Sequence, residues 1–180
     1  MTKYVAFLRG INIGGKNKIA MSDLKAEFEG LGFADVSTYL NSGNIVFSVE
    51  TDNLGSDNSR AVIEEMLTQK FGLEIPTYVI KMDQLNDIFE HSPKWWGTGN
   101  KEKYDNLIFI LSQDTPEEIC ALIREPSEGL ESVQPYKNVI FWTFDRKSYS
   151  KCRWWKKTAS PEIAEKLTIR TANTVRKICK

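Results

Sequence analysis

The chain has 180 residues, enough to bury roughly 70% of its unfolded surface without disulfide or metal staples. Hydrophobic residues make up 41% and charged residues 27%, which is globular composition, and no apolar run reaches membrane-spanning length. The formal net charge is zero, yet residues 1–145 carry 13 Lys/Arg against 22 Asp/Glu, and residues 146–180 carry 11 against 2.

The N-terminus, Met1-Thr2-Lys3-Tyr4, enters a strand-like run at once and lacks the order of a signal peptide. Residues 3–9 predict the first strand. Tyr4, Ala6 and Leu8 point one way and Val5 and Phe7 the other, so both faces are apolar and both are expected to be covered. A Gly-rich loop follows. Ser22 is the expected cap of a helix whose Leu24, Phe28 and Leu31 recur at helical spacing, and Gly32 stops it. Residues 35–40 and 44–49 predict two strands joined by the turn chemistry of Asn41-Ser42-Gly43. Polar residues 50–59 form a loop. A second helix then runs to Phe71, with Val62, Ile63, Met66, Leu67 and Phe71 on one stripe and Gly72 at its end. Residues 75–80 predict the fourth strand.

Residues 82–104 form a bridge, with a helix near 83–91. Residues 107–111 are a continuous apolar strand. Thr115-Pro116-Glu117-Glu118 is a helix start, with Thr at the cap, Pro at the first helical position and Glu at the third. Residues 131–136 and 139–144 form a hairpin around Lys137-Asn138. Helical segments near 148–157 and 162–167, a short strand at 168–170 and a terminal helix complete the chain. The order βαββαβ therefore occurs twice. The expected fold is α+β: two ferredoxin-like βαββαβ halves with mainly antiparallel sheets of order 4-1-3-2, packed into one compact chain. The halves are residues 1–81 and 105–180.

That topology returns the loop after strand one and the turn between strands two and three to the same end of the first sheet. Arg9, Asn12, Gly14, Gly15, Lys16 and Lys18 then meet Asn41, Ser42, Gly43 and Asn44. Cations, side-chain amides and unhindered glycine N–H groups are what an anion site uses. The same residue types also serve loops that have no ligand. Gly10-x4-Gly15-Lys16 approaches a nucleotide-binding P-loop, but Asn17 stands where Ser or Thr would hold magnesium, and the helix starts too late.

Tyr4 and Phe47 occupy strand positions where an RNA-binding sheet stacks bases, but the doubly apolar first strand argues for burial. Residues 150–157 mix cations with Trp154 and Trp155, which suits nucleic acid or an amphipathic helix with Trp155 inward. Trp95-Trp96 either covers the sheet or marks a partner surface. His91, the sole histidine, reads as a helix-end cation, and no catalytic triad or His-based metal site can be assembled. Cys120, Cys152 and Cys179 are odd in number and contain no C-x-x-C pair, which argues for a reducing cytoplasm and against a disulfide framework or a zinc site. No cofactor is implied.

Three motifs occur in order: Arg9-Gly10-Ile11-Asn12-Ile13-Gly14-Gly15, Tyr39-Leu40-Asn41-Ser42-Gly43-Asn44-Ile45-Val46-Phe47, and Arg170-Thr171-Ala172-Asn173-Thr174-Val175. Together they resemble the bacterial family called domain of unknown function 1697. The resemblance implies a duplicated ferredoxin-like fold and no particular activity. It adds Arg170, Asn173 and Thr174 to the candidate site. Thr171 and Ala172 depart from the Asn and bulky aromatic that many members have there. The function expected from these readings is binding of a small anionic or phosphorylated ligand. An enzyme acting on such a ligand, nucleic-acid binding through the basic C-terminal segment, and protein-partner binding are the alternatives.

Overall fold

The computed structural model describes residues 1–50 and 55–179; residues 51–54 of the expected polar loop, and Lys180, lie outside the described residues. The chain divides into two units, Met1–Asn86 and Asp87–Lys180.

The first unit contains β1 (Thr2–Leu8), α1 (Met21–Gly30), β2 (Ala34–Tyr39), β3 (Asn44–Val49), α2 (Ser56–Phe71) and β4 (Thr77–Lys81), followed by α3 (Met82–Glu90), which runs into the second unit. Its antiparallel sheet has the order β2-β3-β1-β4, which is the expected 4-1-3-2. Tyr4, Ala6 and Leu8 of β1 share a core with Leu24 and Phe28 of α1 and with Ile63, Met66 and Leu67 of α2. Val5 and Phe7, on the opposite face, are fully buried as well. Tyr4 pairs across the strands with Phe47. Their stacked rings are 5.7 Å apart and fully buried, so no base can stack on them. Phe28 and Phe33 extend this aromatic cluster, at 5.6 and 4.5 Å from Phe47.

The expected Ser22 cap is corrected. The helix begins earlier, at Met21, and Ala20 occupies the cap position with no side-chain hydrogen bond. Ser22 therefore lies inside the first turn, and its hydroxyl faces Asp23 at 3.5 Å. At the other end, Gly72 adopts the left-handed conformation (φ 66°) that closes α2, as its position after Phe71 predicts.

The second unit continues with β5 (Lys103–Ile110), α4 (Pro116–Ile123), β6 (Glu131–Tyr136), β7 (Val139–Asp145), a 3₁₀ turn (Tyr149–Lys151), α5 (Arg153–Thr158), α6 (Pro161–Ala164), β8 (Leu167–Thr171) and α7 (Ala172–Ile178). The sheet order is β6-β7-β5-β8, all antiparallel and the counterpart of the first. Where the first unit has one long helix between its third and fourth strands, this unit has a 3₁₀ turn and two short helices. The predicted capping box forms: the Thr115 hydroxyl accepts from the Glu118 N–H at 3.2 Å, and the Glu118 carboxylate accepts from the Thr115 N–H at 2.7 Å. Trp154, not Trp155, is the inward residue of α5. It is buried with Ile123, Trp142 and Ile163, while Trp155 is 38% exposed. The preceding 3₁₀ turn shifts the phase of the helix by about one residue relative to an uninterrupted α-helix from 148.

Among the described residues no helix is long and apolar enough to cross a membrane.

Candidate functional site

In the first unit, the loop after β1 folds back on itself. Ile13 and Lys16 bridge, with the Lys16 N–H donating to the Ile13 carbonyl at 3.0 Å. Gly14 and Gly15 sit between them with φ of 57° and 75°. A two-residue turn with both central residues at positive φ is the situation that favours glycine. Lys16 is thus at the tip of a small hairpin, well before α1, and the loop does not form a helix-mouth phosphate cradle.

Asn12 ties this hairpin to the turn between β2 and β3. Its Nδ2 donates to the carbonyls of Ile19 and Asn41, both at 2.9 Å, and its Oδ1 accepts from the Ile19 N–H at 2.9 Å. The Leu8 N–H donates to the Gly43 carbonyl at 2.8 Å. Gly43 leaves no room for a side chain: an added Cβ would lie 2.7 Å from Leu8 Cβ and 2.9 Å from Ile11 Cδ1. Asn44 is fully buried and donates to the Tyr39 carbonyl and the Ser42 hydroxyl.

Loop and turn therefore meet, but Asn12, Gly43 and Asn44 hold the junction together through their own bonds and packing. Gly15, Lys18 and Asn41 remain on the surface and line an open cleft of about 470 Å³ beside Asn12 and Met21. Lys18 is the sole cation among its lining residues. Ile13 and Leu40 stand exposed at this end of the sheet, at 63% and 54%, so it is not uniformly polar. Arg9, just past β1, is half-buried, and its N–H donates to the Pro76 carbonyl at 2.9 Å.

The other three candidates belong to the second unit. Arg170 is 8% exposed; its Nη1 donates to the Thr168 hydroxyl and the Ile169 carbonyl, both at 3.0 Å. Burial pulls its guanidinium down to about 10. Thr174 is buried at the start of α7, where its N–H donates to the Thr171 hydroxyl at 3.3 Å. Thr171 thus serves as the helix cap. Asn173 is exposed, and its Oδ1 accepts from Arg176 Nη1 at 3.1 Å.

Asn173 lines a cleft of about 350 Å³ together with Lys101, Lys103, Arg146 and Arg176. Among the described residues none of these four cations is in an ion pair. Arg176 instead donates to the Gly97 carbonyl and to Asn173. Arg146 Nε donates to the Lys103 carbonyl at 2.9 Å, and its guanidinium lies 4.8 Å from the centre of the Tyr104 ring. Asp105, the one acid of the lining, accepts from the Thr143 hydroxyl at 2.6 Å and the Gly97 N–H at 3.0 Å. Inspection of the sequence misses this cleft because its residues come from the bridge, β5, the end of β7 and α7, and no local motif joins them.

The remaining aromatic residues and the histidine have defined surroundings in the same unit. Trp96 is buried against Phe141, at 5.1 Å, and donates from Nε1 to the Asn106 carbonyl at 2.7 Å; it covers the sheet. His91 follows α3, its Nδ1 lies 2.8 Å from the Asp87 carbonyl, and its ring stacks on Tyr136. Among the described residues no group of three His, Cys, Asp or Glu side chains is placed to hold a metal ion.

The family model described as a protein of unknown function, DUF1697, matches residues 1–141. The chain belongs to this family. A solved structure, that of the conserved bacterial protein SP0830 from Streptococcus pneumoniae, is 30% identical; the alignment covers 99% of this chain and 97% of that one, with a TM-score of 0.77. No curated protein matches the chain. The third motif and much of the cationic cleft lie beyond the residues that the DUF1697 model matches.

Proposed function

We propose that this DUF1697 protein binds a small anionic, phosphate-bearing ligand in the cationic cleft of its second unit. The observation that supports this reading is the lining itself: Lys101, Lys103, Arg146 and Arg176 face one acid that already accepts two hydrogen bonds. Four cations gathered around a single lining acid repel one another, and an anion relieves that repulsion. Arg146 uses Nε within the protein and keeps its two terminal nitrogens for a two-point contact with phosphate. Asp105 is engaged on both oxygens, so binding rather than acid–base turnover is the reading we adopt.

Calorimetric titration with inorganic pyrophosphate at low salt tests it. Arg146→Ala and Lys103→Ala should each weaken binding by roughly tenfold to a hundredfold, corresponding to the ~1.5–3 kcal/mol of a hydrogen bond to a charged group. Unchanged affinity in both variants, or no binding by the wild type, rejects the cleft.

The first unit supports a second, weaker reading. Lys18, Gly15 and Asn41 on one cleft offer a single cation and a glycine amide, and an anion contact there would be lost in Lys18→Ala alone. We also infer a reducing cytoplasm, since Cys120, Cys152 and Cys179 are odd in number and none of them forms a disulfide.

A further inference from the structure

Tyr104 and Arg146 line not one cleft but two. On their other side opens an apolar cleft of about 710 Å³, within the size range of small-molecule sites. One wall is a ladder of rings on the sheet: Tyr104 stacks on Phe144 at 5.3 Å, and Phe144 meets Trp142 at 5.0 Å. Trp155 and Tyr149 also line it. Their rings meet edge-on at 4.8 Å, and they are exposed by 38% and 45%. Exposed aromatic rings grouped beside an aromatic wall make an apolar patch of the kind that marks a ligand groove.

Asn106 supplies a polar group in the same lining. It lies two residues from Tyr104 on the same face of β5, and it is only 4% exposed. Its Nδ2 donates to the Tyr104 carbonyl at 3.2 Å, which fixes the carboxamide in the lining. Its oxygen is an acceptor that a ring N–H or an exocyclic amine of a ligand could use.

We propose that the two clefts form one site for a nucleotide-like ligand: a planar heteroaromatic ring held in the aromatic cleft, and its phosphate in the cationic cleft. This deepens the anion-binding reading and rests on it for the phosphate half. Arg146 sits where the two halves join, over the Tyr104 ring and facing the cations. Trp155, 38% exposed, provides the stacking surface, and the Tyr104 ring edges the wall beneath Arg146. The chemistry needs no metal and no covalent step.

Calorimetric titrations with adenosine 5′-monophosphate, adenosine and inorganic phosphate separate the halves. The wild type should bind the monophosphate at least tenfold more tightly than either fragment, as stacking on aromatic side chains gives. Trp155→Ala should remove the advantage of the monophosphate over phosphate and leave phosphate binding unchanged. Tyr149→Ala, which also trims only an exposed ring, should do the same in part. Equal affinity for monophosphate and phosphate overturns the aromatic half and leaves the anion reading standing. Adenosine binding as tightly as the monophosphate overturns the anion reading instead. A 15-nucleotide oligothymidylate bound a hundredfold more tightly than the monophosphate, with steep salt dependence, overturns the small-ligand proposal in favour of single-stranded nucleic acid.

Discussion

The carboxylate of Glu131 accepts the backbone N–H of Trp154, at 3.1 Å from Oε1 and 3.3 Å from Oε2. The same group accepts from the Trp155 N–H at 3.3 Å, from the Trp142 indole at 3.3 Å and from the Ser127 N–H at 3.0 Å. Glu131 is only 7% exposed. It does the work of a helix cap for α5, whose own cap residue, Cys152, makes no capping bond: its Sγ donates back to the Ser148 carbonyl at 3.5 Å.

Glu131→Gln should therefore destabilise the second unit. The amide keeps one acceptor but loses the charge that strengthens four N–H contacts, and its NH₂ faces donors. A loss of about 1.5–3 kcal/mol is expected, the range for hydrogen bonds to a charged group. Urea denaturation of the variant checks it, and a midpoint unchanged from wild type would contradict the capping role.

Two surface carboxylates give the fold a predictable acid response. The Lys166 ammonium, 2.6 Å from Asp114, and then the Ser112 hydroxyl hold the Asp114 carboxyl below its ordinary value of 3.8. Lys137 does the same for Asp87, at 2.5 Å. For a carboxyl whose folded value is depressed, the stabilisation is fully present above the unfolded value. It is lost as pH falls through the folded one. Stability measured from pH 5 downward should fall less steeply in Asp114→Asn than in wild type. Identical slopes would show that the pair contributes nothing. Lys137 is shifted upward by the same contact, so its contribution is present below 10.5 and disappears only as pH rises through its higher folded value.

Arg170 was singled out by its place in the third motif, yet its surroundings are those of a structural group. It is buried, its head bonds the Thr168 hydroxyl and the Ile169 carbonyl, and burial lowers its proton affinity. Arg170→Ala should lower the melting temperature equally with and without pyrophosphate, by an amount corresponding to about 1.5–3 kcal/mol. A variant that melts like wild type but no longer binds pyrophosphate would return Arg170 to the site.

Much of the fold is legible in the sequence because alternation and turn chemistry are local. The bounds of β3 and β6 follow from the turn residues beside them, Asn41-Ser42-Gly43 and Lys137-Asn138, and the Thr115 box is written in four consecutive positions. The inward tryptophan of α5 is not legible, because a 3₁₀ turn rather than a longer helix sets its phase. The candidate site is legible only as a set of residue types. Asparagine and glycine look the same in a sequence whether they meet a ligand or close a loop, and Asn12, Gly43 and Asn44 close one. The cationic cleft is assembled from residues more than 70 positions apart, from Lys101 to Arg176, by a sheet whose register no local pattern states.

The first motif offers a direct test of the two roles that asparagine and lysine take there. Asn12 is half-buried, and its side chain joins the hairpin, the start of α1 and the β2–β3 turn through three hydrogen bonds of 2.9 Å. Its backbone adopts φ 54°, which asparagine tolerates better than most residues. Asn12→Ala removes all three bonds, leaves the Ile19 and Asn41 carbonyls without that donor, and strains the backbone. A destabilisation of about 2–4 kcal/mol is expected, taking roughly 1 kcal/mol per neutral hydrogen bond. Lys18 is exposed, and Lys18→Ala should leave stability within about 0.5 kcal/mol of wild type. Thermal melts of the two variants, each with and without pyrophosphate, read both effects at once. If Lys18→Ala melts early, the lysine belongs to the loop's architecture. If Asn12→Ala melts like wild type, its hydrogen bonds do not hold the junction, and Asn12 becomes available as a ligand contact after all.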